Sequence, residues 1–291
     1  METNGKSVLR QRFCDYMALR GLSESTQEEY LRSVVGLVRY YRRSPDEFSN
    51  SEIQSYLLYL IRDRKLAWSS CNVVYAALRV FYRDVLGWDQ TRFSIPPRVG
   101  RTLRPQVLSL QEVERLLHAA GSLRDRALLM TTYSAGLRVS EVVHLKPTDI
   151  ESDRMLIRVQ QAKGQKDRYT MLADGALKEL RQYWKVYHPG QWMFVGSDRT
   201  KPISISAAQR IYGKTRAAAG ISHGRGIHSL RHAFATHLLE AGVDLMTIRQ
   251  WMGHNNLKTT AGYLQVATNR RVSVRSPLDT LSLSSPSPQA D

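Results

Sequence analysis

Over the first 86 residues apolar side chains return every three or four positions, the spacing of amphipathic helices, and short polar gaps divide residues 6 to 86 into four of them. The second helix is read as opening at Ser25-Thr26-Gln27-Glu28, a capping box, and it carries Tyr30, Leu31, Val34, Val35, Leu37, Val38 and Tyr41 on its inner face. A third starts near Asn50 and turns Ile53, Tyr56, Leu57, Leu60 and Ile61 inward. A fourth follows Ser69-Ser70, carries Val73, Val74, Ala77, Val80, Phe81 and Val85, and stops at Gly87, a normal place for glycine after a helix.

Ser109-Leu110-Gln111-Glu112 is a second capping box and predicts a helix to about Ala120. Another helix carries Leu123, Ala127, Leu128, Met130 and Tyr133 and ends at Ala135-Gly136, where glycine permits a sharp turn. Between residues 155 and 172 the period changes to two, with Ile157 and Val159 on one side and Leu156 and Arg158 on the other, which predicts a hairpin around Lys163-Gly164-Gln165-Lys166-Asp167. A helix over Gly175 to Tyr187 is expected to bury Leu177, Leu180 and Trp184; Trp192 to Val195 and then Ser204 to Ala219 lead on to Ile227. The fold class is therefore mainly α with a small antiparallel β-sheet.

Charge changes the picture from folding to partners. Lys and Arg total 42 against 26 Asp and Glu, a net +16, with 17 basic against 11 acidic residues up to Arg104 and 25 against 15 after it. Two positive halves suit a polyanion such as double-stranded DNA. The helical half presents Arg32, Arg39, Arg42, Arg43, Arg62, Arg64, Lys65, Arg79 and Arg83 at polar positions. From Gln90 to Gln111 there is no acidic residue, while Arg92, Arg98, Arg101 and Arg104 alternate with Pro96, Pro97, Gly100 and Pro105, the composition of a basic linker lying along phosphates. The domain reading is a helical DNA-binding domain over 1–91, a linker over 92–107, a second domain over 108–275 and a tail over 276–291 whose Ser- and Pro-rich end is expected to be disordered. Cys14 and Cys71 form no disulfide framework, and no long apolar run or basic-then-apolar start is present, so the expectation is a soluble cytoplasmic protein with no membrane partner.

Candidate chemistry gathers late in the chain. His228 and Arg231 stand three apart and project from one helix face, an arrangement suited to one phosphate. His254 follows in Gly-His-Asn-Asn, and then Tyr263, the only tyrosine after Tyr212. A tyrosine hydroxyl with a pKa near 10 needs a cationic pocket to favour the phenolate. Arg138, with Glu141 three residues on, and the basic residues of Gln161-Ala162-Lys163-Gly164-Gln165-Lys166-Asp167-Arg168 offer such cations. His228, His232 and His237 lack the glutamate of a His-Glu-x-x-His site and have no cysteine pair beside them, so no metal site is expected; His232 and His237 read as core or helix-surface histidines.

The order Ala135-Gly136-Leu137-Arg138-Val139-Ser140-Glu141, Lys163-Gly164, His228-Ser229-Leu230-Arg231-His232, Gly253-His254 and Thr260-Ala261-Gly262-Tyr263 resembles the tyrosine recombinases, the phage integrase and Xer family. The resemblance implies a helical, SAM-like core-binding domain and a mixed α/β catalytic domain closing on DNA as a C-shaped clamp. It implies strand exchange through a 3'-phosphotyrosine, with Arg138, Lys163, His228, Arg231, His254 and the nucleophile Tyr263 as the catalytic set, and no cofactor; Lys166, in the same hairpin turn as Lys163, is read beside this as a phosphate contact. It further implies a homo-oligomer, four protomers on two DNA sites, with the segment after Tyr263 docking on a neighbour. The ending Val274-Arg275-Ser276-Pro277-Leu278-Asp279 looks like that of integron integrases, although the insertion of that branch is missing. Gly262 departs from the bulky apolar residue common before the nucleophile, and glycine there suggests a mobile nucleophile segment. Two other readings share these features: a type IB topoisomerase, and a DNA-binding accessory protein that has lost its chemistry.

Overall fold

The computed structural model of the chain describes residues 8–97, 106–160 and 167–253. It divides into two compact units, Met1–Thr102 and Leu103–Asp291, each with a core of its own.

The first unit is helical: α1 (Val8–Leu19), α2 (Glu24–Tyr41), α3 (Asn50–Arg62) and α4 (Trp68–Val80), the last running on through one π-helical turn over Phe81–Val85. Gly87 follows at φ +74, the left-handed turn that lets the chain leave the helix. Phe13, Met17, Leu37, Ile53, Leu57, Leu78, Phe81 and Tyr82 fill the centre. Ser49 and Glu52 cap α3 reciprocally. At α2, however, the cap is Ser23, whose hydroxyl accepts from the Thr26 N–H at 3.4 Å, two residues ahead of the serine read from sequence. Residues 92–97, read as linker, are packed on this unit. Phe93 is buried in its core, the Arg92 N–H donates to Asn50 at 2.7 Å, and the Trp68 indole N–H donates to the Pro96 carbonyl at 2.9 Å. Arg92 itself is exposed, whereas Arg98, Arg101 and Arg104 lie outside the described residues.

The second unit begins with Leu108 fully buried, and then α5 (Leu110–His118), capped by the Ser109–Glu112 box as its sequence predicts. Next come α6 (Leu123–Ser134), α7 (Val139–Val143), the antiparallel strands β1 (Ile150–Glu151), β2 (Leu156–Val159) and β3 (Arg168–Met171), α8 (Asp174–Tyr187), α9 (Ile205–Ala218), α10 (His228–Glu240) and α11 (Leu245–Met252). Register pairs Ile157 with Thr170 and Val159 with Arg168, so all four side chains share the inner sheet face and all four are buried. In α8 the expected inward Trp184 is 49% exposed and Tyr183 takes its place in the core, because the packed stripe is Ala176, Leu180, Tyr183. No helix among the described residues is long and apolar enough to cross a membrane.

Candidate active site

Gly136 begins the site. Its φ of +61 turns the chain at the end of α6, and a Cβ there would stand 2.3 Å from the Phe234 ring, so α6 ends directly against α10. That approach brings the Gly136 carbonyl onto Arg231, which is 6% exposed and also donates to the Met252 carbonyl at the end of α11. Carbonyls at helix C-termini carry partial negative charge, and two of them hold this guanidinium.

Arg138 is the N-cap of α7, placed there by the Gly136 turn. Its backbone N–H and its Nη1 both donate to Glu141 at 2.7 Å, and its Nη2 donates to the Gly253 carbonyl at 3.0 Å. Its side chain stays 41% exposed, leaving guanidinium surface open to a ligand, while Glu141 is 10% exposed beneath it. The same carboxylate takes a bidentate fork from Arg168, with both bonds 2.8 Å, and lies 3.7 Å from Arg231. Three guanidinium groups therefore converge on one acid. Burial alone would raise the Glu141 pKa; the Arg168 hydrogen bonds and charge, with the Arg138 N–H and Arg231, outweigh it and hold the carboxyl down to about 2.

His228 is the first residue of α10 and is exposed, one turn from buried Arg231, so one helix presents a surface imidazole and an anchored guanidinium. Its ring rests on the Gly226 backbone: a Cβ there would come within 2.6 Å of His228 Cε1. Gln209 of α9 fixes the same loop by accepting from the Ile227 N–H at 3.1 Å. His232 packs edge-on behind His228 with ring centroids 5.5 Å apart, and burial lowers its pKa, with His228 and Arg231 adding to the effect. His237, two turns along from His228, has its Nδ1 paired with the Tyr133 hydroxyl at 2.9 Å; burial lowers its pKa too.

The structure thus brings together Arg138, Arg231 and the Gly253 turn that precedes His254, with His228 one helical turn from Arg231. Lys163, Lys166, His254 and Tyr263, and Gly262 with them, lie outside the described residues. The stem of the Lys163 hairpin is described: buried Asp149 accepts from the Gln160 side chain at 2.8 Å, where β2 ends. Arg168 was not singled out from sequence. The signal was present, because alternation puts Arg168 and Thr170 inside β3, and an arginine on an inner strand face requires a counter-charge. Among the described residues no group of three or more His, Cys, Asp or Glu side chains is placed to hold a metal ion.

Residues 106–270 match the family described as Phage integrase family, and residues 9–92 match the domain described as Phage integrase, N-terminal SAM-like domain. The chain is 42% identical over 281 residues to the putative integrase/recombinase y4qK of Sinorhizobium fredii, covering 96% of this chain and 91% of that protein. It is 35% identical over 261 residues to the tyrosine recombinase XerA of Thermococcus kodakarensis, covering 88% and 90%. The crystal structure of the XerH site-specific recombinase bound to its palindromic difH substrate, a post-cleavage complex, shares the fold with a TM-score of 0.70 at 18% identity, over 88% of this chain and 80% of that one.

Proposed function

Because the chain belongs to the phage integrase family of tyrosine recombinases, we propose that it is a site-specific DNA recombinase that breaks and rejoins strands through Tyr263. The observation that carries the assignment of residues is the convergence of Arg138 and Arg231 on Glu141 beside the Gly253 turn. Two planar forks held from behind are suited to the nonbridging oxygens of one phosphate.

In the reaction we infer, the Tyr263 oxygen bonds to phosphorus and the bond from phosphorus to the 5' oxygen breaks. His228 takes the phenolic proton, and Lys163 gives a proton to the departing 5' oxygen. Arg138, Arg231 and His254 hold the charge that builds on the phosphoryl oxygens. The product is a 3'-phosphotyrosine and a free 5'-hydroxyl. A 5'-hydroxyl from a partner duplex reverses the steps on the new strand, so one phosphoester is exchanged for another and no ATP is consumed. The exposed arginines of α2 and α3, the arginines of the 92–107 stretch (Arg92, Arg98, Arg101 and Arg104) and Lys166 are proposed phosphate contacts, in line with the +16 charge. The proposed assembly is four protomers on two DNA sites, acting on nucleoid DNA in the cytoplasm.

The test starts from a randomised duplex pool, from which strands that stay attached to the wild-type protein in SDS and EDTA are recovered. Protease-sensitive adducts are expected from wild type and none from Tyr263→Phe; adducts that persist in the variant would refute the nucleophile. With the recovered duplex, exchange between two sites distinguishes recombination from plasmid relaxation, native mass of the complex counts protomers, and fractionation checks the nucleoid association.

A further inference from the structure

Arg168 is the member of the arginine cluster to which the proposed chemistry gives no part. Its side chain is 9% exposed, and all its hydrogen bonds point inward. The fork covers both Glu141 oxygens at 2.8 Å, and Nε donates to the Trp251 carbonyl at 2.9 Å. Its Cδ lies so near the Gly253 backbone that a Cβ on Gly253 would stand 2.7 Å from it. One side chain therefore touches the acid behind Arg138 and Arg231 and also the end of α11 that leads to His254.

We propose that Arg168 is a positioning residue for strand cleavage, which locks the Glu141 carboxylate in the orientation that leaves the exposed face of Arg138 to meet phosphate, and registers that acid against the Trp251–Gly253 turn. The inference rests on the site proposed above. Its logic is competition. A carboxylate held at both oxygens by a third fork can share only part of its pairing capacity with Arg138, and it stays at 3.7 Å from Arg231. Released from that fork, Glu141 can rotate into full pairing with either arginine and draw it away from the phosphate. Three guanidinium charges against one carboxylate also leave the cluster two positive charges in excess, the sign a phosphate needs. Lysine cannot replace the fork, because a point ammonium does not hold two carboxylate oxygens and a carbonyl in one plane.

The experiment uses the full-length protein and the duplex recovered by covalent capture. Single-turnover cleavage is measured for wild type, Arg138→Ala, Arg168→Lys and Arg168→Gln. Each is tested on the ordinary phosphodiester and on the same duplex with a methylphosphonate at the scissile position, which has lost the charged oxygen that the arginines hold. Arg168→Lys and Arg168→Gln are expected to cleave the phosphodiester about 100-fold more slowly than wild type, the cost of a misplaced binding group. On the methylphosphonate their deficit is expected to shrink to a few fold, in the pattern of Arg138→Ala. Since the two rates come from the same preparation, a partly unfolded variant lowers both and leaves their ratio unchanged. Equal deficits on both substrates, or wild-type cleavage by Arg168→Lys, would overturn the positioning role while leaving the recombinase reading intact. Failure of the wild-type protein to form any adduct would overturn that reading and this inference together.

Discussion

Replacing Glu141 with Gln keeps the shape of the side chain and removes its charge, so it isolates what the carboxylate contributes to the catalytic unit. Lowering a carboxyl from 4.5 in the unfolded chain to about 2 in the fold corresponds to about 3 kcal/mol of stability at neutral pH. An independent route gives a similar figure: removing one partner of a buried ion pair costs about 3–5 kcal/mol, and Glu141 and Arg168 are 10% and 9% exposed. Arg138, 41% exposed, adds little after solvent screening, so the Arg168 pair dominates. The sign follows from the direction of the shift. The folded pKa is depressed, so the contribution is complete above about pH 4.5 and fades as pH falls toward about 2, with more than half gone by about pH 3. Amide exchange at Leu128 and Leu129, buried in α6, reads this unit separately from the other. Glu141→Gln should lower their protection by about 3 kcal/mol at pH 7, and the gap to wild type should close in acid, where wild-type Glu141 becomes protonated and resembles Gln. A gap below about 1 kcal/mol at pH 7, or one that does not narrow on acidification, would refute the account of Glu141 as the buried anchor of the arginines.

Two further substitutions test the backbone beneath the site. Gly136→Ala introduces both a strained φ of +61 and a Cβ 2.3 Å from Phe234; a loss of about 2–4 kcal/mol in the catalytic unit is expected in chemical denaturation, and a near-neutral result would contradict the close packing of α6 on α10. Gly226→Ala pushes on the exposed His228 ring, which can rotate away; melting should move by less than about 0.5 kcal/mol while single-turnover cleavage slows about tenfold, and unchanged cleavage would remove His228 from proton transfer.

Much of this arrangement could be read from residue order. The Ser109–Glu112 box set the start of α5 correctly because both halves of a capping box are local, and the period-two stretch located β2 and β3 because each strand buries one face. The turn at Gly136 just ahead of Arg138, with Glu141 three residues on, also followed from local spacing. What escaped was decided by partners distant in sequence. Ser23 rather than Ser25 caps α2, a choice between two nearby hydroxyls that only the exit path from α1 resolves. Tyr183 displaces Trp184 from the core because α6, packed against α8, selects among neighbouring aromatics. Proline and arginine content pointed to a linker from Arg92, but Phe93 finds a pocket beneath α3 and α4 that composition does not reveal. Arg168 looked like one more basic residue in a turn until the register put it opposite Val159 and against an acid 27 positions earlier.

The separateness of the two cores bears on how such a chain can be altered. Phe93 closes one and Leu108 opens the other, so a crossover between Pro97 and Gln106 would cut through neither set of packed side chains. Halves taken from different relatives could be joined there with each interior kept whole.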